Sequence, residues 1–208
     1  MGILEFINRI HPESYLYIML FQFKIQLKHL TDPPVWRQVL VPGHFTFHRF
    51  HKVIQAAFGW GNYHLYQFSP KGYGSQPIIS FPVPDNEMDF FHEKDQDSNK
   101  IKLSDIFTIP KQKYIYIYDF GDDWTHIITL QKILDEKRLN AELLSGVGAC
   151  PPEDCGGVPG YWSMQEILDD PKHPEHAGMK EWMGLSKKQN WDAAAFDMEK
   201  KALAVRKV

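Results

Sequence analysis

The sequence predicts an α+β protein: mainly antiparallel strands in the first two thirds, with helices packed from the C-terminal third. Strand-like alternation and aromatic β formers fill residues 21–134, while capped, helix-like segments collect after residue 160. The two periods are segregated rather than interleaved, which disfavours an alternating α/β fold.

Phe21-Gln-Phe-Lys-Ile-Gln-Leu-Lys28 alternates apolar and polar residues at every step. This is the pattern of a half-buried strand with Phe21, Phe23, Ile25 and Leu27 inward. Asp32-Pro33-Pro34 breaks it, and Val35 to Val41 forms a second strand ending at Pro42-Gly43. From Phe47 the apolar period becomes helical (Phe47, Phe50, Val53, Ile54, Ala57, Phe58), with Thr46 as N-cap and Gly59 as C-terminal stop. Tyr63–Phe68 and Ile78–Val83 read as short strands, and Pro84–Lys100 as a charged loop. Leu103–Phe107 reads as a helical turn. Tyr114–Phe120 and Trp124–Leu134 make a hairpin around Gly121-Asp122-Asp123. In the last third, Ser163 caps a helix through Asp169, Glu175–Gly184 forms another, and Asp192 caps a final one bearing Phe196 and Leu203. Residues 1–14 are read as a short extension and 15–205 as a single domain.

At 208 residues, with 43% hydrophobic and 14% aromatic content, the chain can bury a sizeable core. Its net charge is −3, and its five arginines are scattered through the sequence, so nonspecific nucleic-acid binding is disfavoured. The longest apolar run, Tyr15 to Phe21, is too short for a membrane span, and the N-terminus lacks signal-peptide features. Two cysteines make no disulfide framework, so a cytoplasmic protein with reduced thiols is expected. Phosphate-binding glycine loops and the nucleophile-elbow motif are absent.

Two places concentrate chemistry. On the first hairpin strand Tyr114, Tyr116, Tyr118 and Phe120 share one face, and Ile115, Ile117 and Asp119 the other. If that second face meets the core, Asp119 needs a partner, and His126 or Trp124 on the returning strand could supply it. Asp122 and Asp123 fit simple turn roles. The second place is Ala149-Cys-Pro-Pro-Glu-Asp-Cys-Gly-Gly157, followed by Asp170-Pro-Lys-His-Pro-Glu-His176. Cys150, Cys155, His173 and His176 form a zinc-type ligand set, although the C-x4-C and H-x2-H spacings differ from those of zinc fingers. A local disulfide, a thiolate nucleophile served by one of these histidines, and a purely structural knot remain alternatives. His44, His48 and His51 follow a helical row that reads as a solvated polar face. His64 reads as a hydrogen-bonded, partly buried residue.

These segments resemble the plasmid pRiA4b ORF-3-like family. The resemblance rests on Pro34-Val-Trp-Arg37, Phe58-Gly-Trp60 with His64-Leu-Tyr-Gln-Phe68, and Tyr118-Asp-Phe-Gly-Asp-Asp-Trp-Thr-His126. It continues through Cys150-Pro-Pro-Glu-Asp-Cys-Gly-Gly157, Asp170 to His176 and Phe196-Asp197, in the family's order. Thr125 departs from it, standing where the family usually carries an acidic residue. The resemblance implies an α+β domain but no settled activity. Some members are labelled resolvases by association with a mobile element, and the scattered arginines here argue against a serine recombinase, whose nucleophile needs a ring of them.

The leading expectation is a binding or accessory module in which Asp119 pairs with His126 while Cys150, Cys155, His173 and His176 hold zinc or lock the loop. A protein partner is left open. The alternatives are a metal-assisted hydrolase or nuclease using Asp119, Asp122, Glu153 or Asp154, and an adaptor for DNA processing.

Overall fold

The computed structural model describes residues 19–82 and 95–208. The expected 1–14 extension, and the part of the charged loop before residue 95, lie outside the described residues.

Eight strands form one sheet: β1 (Met19–Thr31), β2 (Pro34–Pro42), β3 (Tyr66–Ser69), β4 (Ile79–Ser80), β5 (Gln96–Asp97), β6 (Lys113–Tyr118), β7 (Trp124–Asp135) and β8 (Glu142–Val147). Their spatial order is β5-β4-β3-β6-β7-β1-β2-β8. Every pairing is antiparallel except β4 with β5. Among the described residues there are five helices: α1 (Phe47–Phe58), α2 (Leu103–Ile106), α3 (Gly157–Asp169), α4 (His176–Trp182) and α5 (Met198–Arg206). The α+β class holds, with three of the five helices following the last strand.

The alternation in β1 does what its sequence dictates: Phe21, Phe23, Ile25 and Leu27 are buried, and the intervening residues are less so. Helix α1 lies on that face, with Phe50 4.9 Å from Phe23 and Phe47 5.0 Å from Phe68, ring centre to ring centre. Its ends are those expected: Thr46 Oγ1 accepts the Arg49 N–H, and Gly59 closes the helix at φ 99°.

Several expectations change. Ser163 is not a helix cap, because α3 begins six residues earlier, at Gly157 after Gly156, and runs through it to Asp169. The tyrosine face of β6 meets the core, because Tyr114, Tyr116 and Tyr118 pack among α1 aromatics; on the other face Ile115 is only half-buried, while Ile117 and Asp119 are buried too. The histidine row on α1 is not a solvated face. His51 is fully buried, stacked 3.7 Å from Tyr66, with Nδ1 at 2.8 Å from the Tyr116 hydroxyl and Nε2 at 2.5 Å from Asn62 Oδ1. The last helix starts at Met198 with Asp197 as its cap, since Asp192 Oδ1 is spent on an earlier turn at Ala194.

Strand β8 went unpredicted, and Arg37 fastens it. The Arg37 guanidinium donates to the carbonyls of Ala57, Trp36, Val147 and Gly148 at 2.7–3.0 Å. Its Cδ and the Phe196 ring occupy the place a side chain would need at Gly146. Burial lowers its pKa to about 10, which leaves it charged at neutral pH.

Candidate functional site

The site lies where three loops meet at one rim of the sheet. The first runs from the end of α1 to β3. Asn62 anchors it: its backbone N–H donates to Gln55 Oε1, and its side chain meets His51. Trp60 Nε1 donates to the Pro151 carbonyl at 3.0 Å, tying this loop to the cysteine loop.

The second loop is the tip of the β6–β7 hairpin. The strand ends at Tyr118 because Asp119 turns into the left-handed region at φ 58°. Asp119 Oδ1 accepts the N–H groups of Gly121 and Asp122, which leaves Oδ2 for other partners. Asp122 acts as a clasp: its Oδ2 accepts the Gly156 N–H at 3.1 Å. Gly157, at φ 65°, sits so close that a Cβ there would strike the Asp122 carbonyl.

The third loop carries Glu153 and Asp154. Glu153 Oε1 accepts the Gly61 N–H at 2.6 Å and the Tyr118 hydroxyl at 3.1 Å. Burial, then the adjacent Glu153, holds the Tyr118 phenol well above its ordinary pKa, so it stays a donor. Asp154 also adopts a left-handed conformation, at φ 58°.

These three loops converge on His64. Its Nε2 lies 3.1 Å from Asp154 Oδ1, 3.4 Å from Glu153 Oε2 and 3.5 Å from Asp119 Oδ2. Ligand-type atoms of His64, Asp119 and Asp154 all fall within 4.8 Å of one another, a density that no other His, Cys, Asp or Glu group among the described residues matches. Asp119, Glu153 and His64 are largely shielded, whereas Asp154 faces solvent. Two carboxylates about 4 Å apart repel by about 4 kcal/mol at an intermediate dielectric constant. One imidazole, even protonated, offsets one of the three carboxylate charges, whereas a divalent cation offsets two.

Of the residues the sequence nominated, the structure thus joins Asp119, Glu153 and Asp154. It does not pair Asp119 with His126. His126 sits opposite Tyr116 in the strand register, fully buried, edge-on to Phe58 and Trp60, with Nδ1 on the Trp124 carbonyl. Burial depresses its pKa to about 3, so it is a neutral core residue. Nor do Cys150, Cys155, His173 and His176 form a compact ligand set. The His173 Nδ1 accepts the Glu175 N–H within its own turn. Cys150 lies on the wall of an adjoining cleft with Arg37 and Lys201. Both cysteines are free thiols. Burial raises the Cys150 pKa strongly, and burial followed by the charge of Asp122 pushes Cys155 to about 12. Such thiols are poor nucleophiles at neutral pH.

Sequence reasoning missed His64 as a member of the site. No spacing signals it, because its partners arrive from two distant loops. The usable sign was its place inside the Trp60–Phe68 block, one of the segments the family resemblance rests on.

Fold and rim together define an α+β protein whose loops gather one imidazole and three carboxylates at the edge of a largely antiparallel sheet. The chain belongs to the plasmid pRiA4b ORF-3-like protein family, which matches residues 19–200. It is 37% identical over 176 residues to the uncharacterized protein y4hQ of Sinorhizobium fredii (strain NBRC 101917 / NGR234), covering 84% of either chain. It is also similar to the crystal structure of MM3350, a protein of unknown function from Methanosarcina mazei Go1. That match has a TM-score of 0.72 and 33% identity over 87% of this chain and 96% of the other. Among the described residues, no helix is long and apolar enough to cross a membrane.

Proposed function

We propose that this protein is a divalent-cation-binding module whose ligands are His64, Asp119, Glu153 and Asp154. The observation that carries the reading is the convergence of three carboxylates on His64 Nε2 at 3.1–3.5 Å. A mixed set of one imidazole and three carboxylates suits Zn²⁺ or Mn²⁺, since imidazole favours the former and carboxylate oxygen the latter. The proposed zinc site therefore moves from the cysteine loop's thiols to its carboxylates. Free, poorly ionised thiols suit a reducing cytoplasmic setting.

A second reading, metal-assisted hydrolysis, is favoured by one feature. Asp154 is exposed and also borders a cleft, so a cation here would keep positions open toward solvent and ligand. His64 and the carboxylates would hold the ion, and the ion would lower the pKa of a bound water.

Titration calorimetry with Zn²⁺ and Mn²⁺ on chelator-treated protein tests the binding. Saturable binding is expected, weakened at least about tenfold in His64→Ala and Asp119→Asn, the worth of one lost ligand. Cys150→Ser should bind as the unaltered chain does. Loss of binding in Cys150→Ser alone, or none in any protein, would overturn the assignment.

A further inference from the structure

A cleft of about 570 Å³ opens beside the cluster, between the end of α1, the cysteine loop and the C-terminal helices. Glu153 and Asp154 line both the cluster and this cleft. The walls are aromatic: Trp60, Trp182, Trp191 and Phe196 face it, and Trp182 is half exposed, an unusual position for so large an apolar ring. Two cations reach the cleft, and only one has capacity to spare. Arg37 has its fork filled by four carbonyls and its plane covered by Phe58 and Phe196. Lys201 extends from α5 across Gly59, where a Cβ would collide with its ammonium group. The Lys201 Nζ has no hydrogen-bond or ion-pair partner among the described residues. The nearby acids are otherwise engaged, Asp154 by His64. Asp197 caps α5 through the Lys200 N–H, and Glu153 is held by Gly61, Tyr118 and His64.

We propose that this cleft binds a small organic anion, a planar apolar body carrying a carboxylate or phosphate, with its ring on the tryptophans and its anionic group at Lys201. Stacking supplies the apolar contact area, and a charge-assisted hydrogen bond to a half-buried ammonium supplies the selection for charge. The position deepens the cation reading, since such a ligand would lie next to the ion. A bound ion would raise affinity for the anion, while the contact with Lys201 is made without it.

The test follows tryptophan fluorescence of the full chain in chelator while phenyl phosphate, phenylacetate or neutral benzyl alcohol is added. At least one anion is expected to quench saturably and to bind about tenfold or more tightly than benzyl alcohol, as one charged hydrogen bond allows. Lys201→Met should erase that preference while leaving benzyl alcohol binding unchanged, and Lys201→Arg should keep it. Trp182→Ala should weaken all three ligands. Preference for phenyl phosphate or for phenylacetate identifies the anionic group. The proposal is overturned if neither anion outbinds the alcohol, or if Lys201→Met retains the preference. Because metal is absent throughout, failure of the cation reading would leave this result standing, and the reverse also holds.

Discussion

Glu153 accepts the backbone N–H of Gly61 at 2.6 Å and so joins the cysteine loop to the loop that carries His64. The Oε1 atom holds the Gly61 N–H while Oε2, also 3.3 Å from the Tyr118 hydroxyl, faces His64 Nε2, and the two roles separate by substitution. Glu153→Gln keeps an oxygen for the Gly61 N–H but removes the charge. It should leave the melting temperature nearly unchanged and lower cation affinity about tenfold. Glu153→Ala should lower both, with a stability loss of about 1 kcal/mol from the part-buried Tyr118 hydroxyl, since the exposed Gly61 amide regains water. Calorimetry and thermal melts on the pair check this; equal metal affinity in Glu153→Gln and the unaltered chain would remove Glu153 from the ligand set.

Arg37 gives the largest expected stability change. Its removal leaves four carbonyls without their donor and opens space beside Gly146. Arg37→Met should cost about 3–5 kcal/mol, a drop of roughly 6–20 °C in melting temperature for a chain of this size. Denaturant unfolding measures it, and a loss below about 1 kcal/mol would show that water replaces the guanidinium at little cost.

Acid should destabilise the fold through its buried imidazoles. Burial holds His51 and His126 near a pKa of about 3, whereas in the unfolded chain both titrate near the ordinary 6.5. Between those values the unfolded state binds the protons. The stabilising contribution is therefore complete above about pH 6.5 and declines as pH falls toward 3, by about 1.4 kcal/mol per pH unit for each imidazole. Urea midpoints compared near pH 7 and near pH 5 should show the fall. In His51→Gln the slope should be reduced, and an unchanged slope would place the acid sensitivity elsewhere.

The cysteines should react slowly. With Cys155 raised to about 12 and Cys150 raised further by burial, thiolate is scarce at neutral pH. Iodoacetamide should alkylate the native protein at least about a hundredfold more slowly than the urea-unfolded chain. Comparable rates would show that the loop opens readily, or that a nearby cation activates a thiol.

Legibility from sequence tracked how local each cause was. The alternation of Phe21 to Lys28 and the Thr46 and Gly59 caps act over one strand or one helical turn, and both elements were read with their boundaries nearly right. Strand β8 has no such signature. Ser145 and Gly146 weaken its pattern, and its pairing depends on Arg37, more than a hundred residues earlier. At the site, Asp119, Glu153 and Asp154 were legible because carboxylates stood out in turn-forming segments. Their partner was not. His126 shares the hairpin with Asp119, but strand pairing places it opposite Tyr116 in the core, and His64 fills the role from another loop.

The three loops that meet at His64 are separate stretches of chain with no covalent cross-link between them. Only the folded chain brings the four side chains together, so an ion held there would bind the native state alone. Its free concentration would then act as a dial, tightening or loosening the grip of the C-terminal third on the sheet.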